Sequence, residues 1–283
     1  MALPVPPPRA AAKTSAVPPR APSAPAKKFT VAGWSSANRG EKVLLYAESG
    51  MGKTTLASTA PNPVFLGLDD GGARIINPIT GEELQHVPGI EDFSDVRTVL
   101  SQPGLFDDYR TIAIDTVTVL QDWSVPFCLK TIPAGKGAEA QSIESYGYGK
   151  GYRHVYDVML GILSLSDALV ARGKNVIMIA QTEVIRVANA ESEDFLKEGP
   201  RLQHTSQGDV AGLYREWADH VCRIGYQGIV VKEKKVKTAC MDRAVFVQPE
   251  AWFYAKSRTI HVKEPIDFSA PEKDDLWKFM GIE

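Results

Sequence analysis

An α/β fold built on a mainly parallel sheet flanked by helices is predicted by three observations in this 283-residue sequence. Four short apolar runs, at residues 43–46, 64–68, 111–114 and 176–180, are nearly continuous in Val, Ile, Leu and other apolar residues. Helix-compatible stretches separate them, and strands alternating with helices connect by right-handed crossovers into a parallel sheet whose strands are covered on both faces. Each run also passes into polar or very small residues at its end, as a ligand site at the carboxyl edge of an open sheet requires.

The first run leads directly into Ala47-Glu48-Ser49-Gly50-Met51-Gly52-Lys53-Thr54-Thr55, followed by a helix-compatible stretch. This is the strand–loop–helix setting of a P-loop. Small residues let the backbone wrap a phosphate, a lysine reaches the terminal phosphates, and the following hydroxyl holds a magnesium ion. The usual pattern, G-x-x-x-x-G-K-[ST], has Ala47 at its first position here, which is small enough for the turn unless that residue needs a positive φ. Residues 47–55 are therefore expected to bind the nucleotide.

The other three runs supply the polar strand ends. The third ends in Ile114-Asp115-Thr116, a lone carboxylate placed as a Walker B acid that holds magnesium directly or through water. The second ends in Leu68-Asp69-Asp70-Gly71-Gly72, where one carboxylate can orient the attacking water or, equally, cap a turn. The fourth ends in Ala180-Gln181-Thr182, and an amide there can sense the terminal phosphate.

A helix over residues 152–172 is predicted by Val155, Met159, Ile162, Leu163 and Val170, with Gly173 in the position of a C-terminal cap. Two long polar segments, 132–150 and 183–210, read as loops. The first interleaves Tyr146, Tyr148 and Tyr152 with Lys136 and Lys150, a composition suited to stacking on unpaired bases and touching phosphates; the second is charged but not net basic. Beyond residue 218, short strands at 221–224, 228–232, 244–247 and 259–262 read as an antiparallel extension of the sheet. An amphipathic helix at 274–280 closes the chain.

Residues 1–28 stand apart. They hold Pro and Ala in excess, no acid, and the basic residues Arg9, Lys13, Arg20, Lys27 and Lys28, so a disordered basic tail is expected there, with the folded domain spanning 29–283. The net charge of −2 argues against a general polyanion binder, leaving a local basic face as the route to nucleic acid. Three scattered cysteines, Cys128, Cys222 and Cys240, suggest neither a disulfide framework nor a zinc site, and fit a reducing, cytoplasmic setting. No apolar run approaches the ~20 residues of a membrane span, and the N-terminus lacks the apolar core of a signal peptide.

Taken in order, AESGMGKTT, LDDGG, TIAIDT, SYGYGKGY and VIMIAQT resemble the RecA-fold P-loop ATPases of bacteriophages, of the single-strand annealing and recombination type. Ala218-Asp219-His220-Val221 and Ala255-Lys256-Ser257-Arg258 extend the resemblance, which covers roughly residues 40 to 265. It implies a RecA-like core using ATP and Mg2+, with Lys53 and Thr54 as phosphate and magnesium ligands and Asp115 as the Walker B acid. It places the catalytic carboxylate at Asp70, with Asp69 as the alternative, where the family carries Glu; a shorter Asp implies slower hydrolysis. Gln181 takes the sensor position, and the two polar segments become DNA-facing loops. Lys256 and Arg258 would reach the γ-phosphate held by the next subunit of a ring or filament.

The function so implied is ATP-dependent binding of single-stranded DNA with annealing or recombination, by a homo-oligomer that works beside a single-strand-binding protein in the host cytoplasm. Two other readings compete. One is a helicase-loader-like assembly factor that uses ATP as a structural switch. The other is a P-loop nucleotide kinase, which needs a lid carrying several arginines, whereas 183–210 offers only Arg186 and Arg201.

Overall fold

The computed structural model describes residues 30, 31, 33, 38–137, 139–188, 193–227, 231–233, 236–238, 242–270 and 276–282, with side chains left out at Asp70, Lys136, 231–233 and 236–238. The expected tail at 1–28 lies outside them. The chain divides into two compact units, Met1–Ser36 and Ala37–Glu283, and every element described below belongs to the second.

In chain order the elements begin with β1 (Lys42–Ala47), α1 (Lys53–Ser58), β2 (Pro63–Gly67), α2 (Phe93–Ser101), β3 (Thr111–Asp115), α3 (Val117–Thr131), α4 (Lys150–Val170) and β4 (Asn175–Val187). All four apolar runs are strands. They continue through β5 (Phe195–Pro200), β6 (His204–Thr205), β7 (Gly208–Asp209), α5 (Val210–Trp217), β8 (His220–Tyr226), β9 (Val231–Glu233) and β10 (Val236–Thr238). The chain ends with β11 (Arg243–Phe246), β12 (Lys256–Ser257), β13 (Ile266–Asp267) and α6 (Leu276–Phe279). The main sheet runs β13-β11-β8-β1-β4-β3-β2, and its five members from β8 to β2 are parallel.

Period-two alternation explains why these strands are apolar throughout. Leu44 and Tyr46 face one side, with Leu66, Ile112, Ile114 and Met178, beneath α2, α3 and α4. Val43 and Leu45 face the other, with Phe65, Ala113, Ile177 and Ile179, beneath α1 and the C-terminal Leu276 and Trp277. With both faces covered, every position of β1 and β3 is buried, and each large side chain contributes about 1.5–3 kcal/mol of burial. The helix predicted at 152–172 is α4, shifted two residues toward the N-terminus, and Gly173 follows its end. Among the described residues no helix is long and apolar enough to cross a membrane.

Three expectations are corrected. β8 is not antiparallel: α5 covers the crossover into it, so it joins β1 in parallel, and the antiparallel extension begins only with β11, β12 and β13. The described part of residues 183–210 is not a single loop. β4 continues past Gln181 to Val187, and β5 returns antiparallel from Phe195 to Pro200, so the β-branched run Thr182, Val184, Ile185, Val187 satisfies its backbone by pairing. Residues 259–262 form no strand, because the Ser257 hydroxyl accepts from Ile260 N–H at 2.9 Å and turns the chain inward, burying Ile260. The described part of 132–149 is a loop, as expected, carrying two 3-10 turns, 135–137 and 143–146, the second packed on α4.

Two further expectations are met in part. The predicted strand at 228–232 begins at Val231, residues 228–230 lying outside the described ones, and it pairs with β10 in a separate two-stranded sheet rather than extending the main one. The terminal helix is described from Leu276.

Candidate functional site

Parallel register gathers the polar strand ends at one edge. Ala47 pairs with Gln181, Asp115 with Ile179, and Gly67 with Asp115, so residues far apart in sequence meet within two positions of one level. A cleft of about 330 Å³ opens there, bordered by Ser49, Gly50, Gly52, Lys53, Thr54, Thr55, Asp69, Asp115, Thr116 and Gln181.

The P-loop itself spans the turn between β1 and α1. Ala47 is the last strand residue, 1 % exposed and outside the positive-φ set, so alanine meets no steric cost there. The left-handed positions fall on Gly50 (φ +80°) and Gly52 (φ +92°), where only glycine is free of strain. Lys53 Nζ donates to the carbonyls of Ala47 (3.2 Å) and Glu48 (2.9 Å), folding over the loop it follows. Burial lowers the Lys53 ammonium below its ordinary value, while Asp115 and Asp69 pull it back up.

Thr54 Oγ1 donates to Asp115 Oδ2 at 2.5 Å, tying α1 to the end of β3. Asp115 is only 5 % exposed. Burial raises its carboxyl pKa and Asp69 adds to the rise; the Thr54 hydroxyl and the Lys53 charge act in the opposite sense. Asp69 begins the 3-10 turn Asp70–Arg74, accepting from Gly71 N–H at 2.9 Å, and its side chain borders the cleft. The Asp70 side chain lies outside the described residues.

Gln181 stands between the P-loop and the β4–β5 hairpin. Its N–H donates to Thr118 Oγ1 (3.0 Å), that hydroxyl donates to Arg201 C=O (3.2 Å), and Arg201 N–H donates to Gln181 C=O (2.6 Å). Sequence reasoning missed Thr116 and Thr118, although the T-V-T that follows Asp115 was a visible signal. It also missed Arg243, which donates to Met51 C=O from β11 and had no sequence signal at all.

Lys256 and Arg258 are not in this cleft. β12 pairs with the first two residues of β8, so both lie toward the opposite end of the sheet. Lys256 Nζ donates to the carbonyls of Arg215 (2.7 Å) and Glu216 (3.3 Å), near the end of α5. Arg258 is 63 % exposed and pairs with Asp219 at 3.1 Å. Of the interleaved tyrosines, Tyr146 donates its hydroxyl to the carbonyls of Cys128 and Ile132, and Tyr152 donates to Glu144; Tyr148 is 98 % exposed.

The sequence matches a model of the AAA domain family over residues 39–259, most of its length. The chain belongs to the AAA domain family. Among solved structures, a KaiC-like protein from Pyrococcus horikoshii is similar at 15 % identity and TM-score 0.45, covering 83 % of this chain and 88 % of its own. The flagellar accessory protein FlaH from Methanocaldococcus jannaschii is similar at 10 % identity and TM-score 0.39, covering 77 % and 90 %. Both likenesses are distant and bear on neither substrate nor partner. No curated protein matches the sequence.

This AAA domain is thus a P-loop ATPase with a RecA-like α/β core. A hydroxyl and a carboxylate oxygen, Thr54 Oγ1 and Asp115 Oδ2, are hard donors of the kind magnesium prefers, and they already stand side by side.

Proposed function

We propose that this AAA domain is an Mg-ATP-dependent protein that binds single-stranded DNA and promotes annealing or recombination, acting as a homo-oligomer. The observation that carries the reading is the position of Gln181. It borders the nucleotide cleft, and the same strand then runs straight into the β4–β5 hairpin. A change at the terminal phosphate therefore has a short covalent path to the hairpin. That hairpin exposes Val184 and Leu196, apolar groups suited to bases, beside Arg186, which pairs with Asp194 at 2.9 Å and would exchange that partner for a phosphate.

Within the cleft, Lys53 and Thr54 hold the triphosphate and its magnesium, with Asp115 as the second metal contact. Magnesium, when bound, neutralises charge on the phosphates. Asp69, which borders the cleft, orients the attacking water, with Asp70 as the alternative. Arg258 lies too far along the sheet to serve its own cleft, so it acts on the nucleotide of a neighbouring subunit, while Lys256 anchors β12 to α5.

The test is ATP hydrolysis, and DNA retention, with and without single-stranded DNA. Turnover that rises with DNA, and affinity for DNA that differs between nucleotide states, support the reading. Absence of DNA binding in both nucleotide states would sink it. A second reading has one observation in its favour: Tyr146 packs its ring against His154 at 4.7 Å and bonds its hydroxyl to Cys128 and Ile132, so it is held in the fold and the Tyr-rich segment offers less to DNA than its composition promised. Tight ATP binding without turnover, together with a stable helicase complex, would select an assembly factor instead.

A further inference from the structure

Arg243 opens β11 and Phe268 follows β13, and the two are joined backbone to backbone, Phe268 N–H donating to Arg243 C=O at 2.8 Å. Both side chains reach the P-loop. The guanidinium lies over the Phe268 ring at 5.1 Å, and Nη1 donates to Met51 C=O at 3.3 Å. Phe268 is fully buried. A Cβ placed on Gly52 would stand 2.9 Å from Arg243 Nη1 and 3.0 Å from Phe268 Cε1, so the pair fills the space directly against the loop.

The Met51–Gly52 peptide is trans, and in a trans peptide the carbonyl and the following N–H point to opposite sides. Drawing the Met51 carbonyl toward Arg243 therefore turns the Gly52 N–H the other way, toward the cleft that Gly52 borders and Arg243 does not. We propose that Arg243 is a positioning residue of the nucleotide site: it fixes this peptide plane so that Gly52 N–H faces the polyphosphate, and it sets a permanent positive charge behind the loop. The charge is supplied by the antiparallel extension, which makes that extension part of the ATP site. The inference rests on the reading of the cleft as an ATP site.

The experiment titrates the full chain with a fluorescent ATP analogue and measures KM and kcat for ATP, in wild type, Arg243→Gln, Arg243→Lys, Arg243→Ala, Phe268→Leu and Lys53→Ala. Arg243→Gln should bind ATP about tenfold more weakly, the scale of one lost charge-assisted hydrogen bond. Its KM should rise in step while kcat changes less than ~3-fold, because the pinned peptide holds ground state and transition state alike. Arg243→Lys keeps the charge and a donor and should recover most of the affinity. Phe268→Leu keeps an apolar side chain but removes the ring under the guanidinium, and should weaken binding in the same direction by less.

A purely structural role would lower the thermal midpoint of the Gln and Lys variants alike with affinity unchanged, and that overturns the proposal. So does wild-type affinity in Arg243→Gln while Lys53→Ala has lost binding, a result that leaves the ATP site standing. Should Arg243→Gln not fold, wild-type affinity in Phe268→Leu together with no advantage of Lys over Ala at residue 243 overturns it. A wild-type chain that does not bind ATP overturns both readings.

Discussion

Thr54 and Asp115, 61 residues apart, meet in a 2.5 Å hydrogen bond in which the hydroxyl donates to Oδ2. The bond joins the first turn of α1 to the last residue of β3 and presets the two oxygens that suit magnesium. Four predictions follow from this cleft and its surroundings.

Asp115→Asn should raise the thermal midpoint of the nucleotide-free, metal-free protein while cutting Mg-ATP turnover by roughly 100-fold or more. Burial raises the Asp115 carboxyl pKa, so the folded state holds that proton more tightly than the unfolded state. Ionised Asp115 therefore costs stability at neutral pH, and the cost fades as pH falls through the folded value. The stability advantage of the Asn variant should shrink on acidification, as scanning fluorimetry across pH in chelator would read. An advantage that grows on acidification would contradict the assignment.

The two P-loop glycines should differ. Gly52→Ala forces a side chain into φ +92° and against Arg243 and Phe268, at a cost of about 1–3 kcal/mol together with loss of ATP binding. Gly50 has φ +80° but open space, so Gly50→Ala should cost only about 1 kcal/mol. Denaturant midpoints and ATP titrations of the pair check the ranking.

Asp69→Asn should lower kcat by about 100-fold, the lower range for loss of a general base, with ATP affinity retained. The amide oxygen can still accept from Gly71 N–H, so the turn survives. Asp70→Asn should lose less. Single-turnover hydrolysis of the two variants decides between them, and a larger loss at Asp70 would return the role to the residue that the family resemblance selected.

Arg258→Ala should reduce turnover by roughly 1,000-fold if the guanidinium acts as an arginine finger. Its ion pair with Asp219 is largely exposed and worth under about 1 kcal/mol, so unfolding would not explain such a loss. Mixing Arg258→Ala with Lys53→Ala should restore activity, because an intact cleft then meets an intact arginine. Failure of the mixture to recover would confine Arg258 to a surface role.

The strands and the P-loop were legible because their determinants are local. Unbroken apolar runs such as Val176-Ile177-Met178-Ile179-Ala180 have one solution in an α/β chain, and Gly50 and Gly52 stand where the backbone needs positive φ. The hairpin at β4–β5 was not legible, since Glu183, Arg186 and Lys197 mask by charge a stretch whose order comes from pairing between residues 8 to 18 positions apart. The direction of β8 was equally hidden: Val221–Ile224 carries the same apolar signal in either orientation. Tyr146 reads in sequence as a base-stacking residue, and only its packing beside α4 shows where its hydroxyl goes.

The sequence by itself determined the phosphate-binding loop, the acid at the end of β3 and the four strands that carry them, because period, composition and glycine placement act over a few residues. Tertiary structure alone decided that Asp69 borders the cleft, that Lys256 and Arg258 lie away from it, and that Arg243 from β11 stands against Met51 and Gly52. Those relations depend on strand register and on how the antiparallel extension folds back, and register is set by pairing across the sheet, which no local stretch of chain encodes.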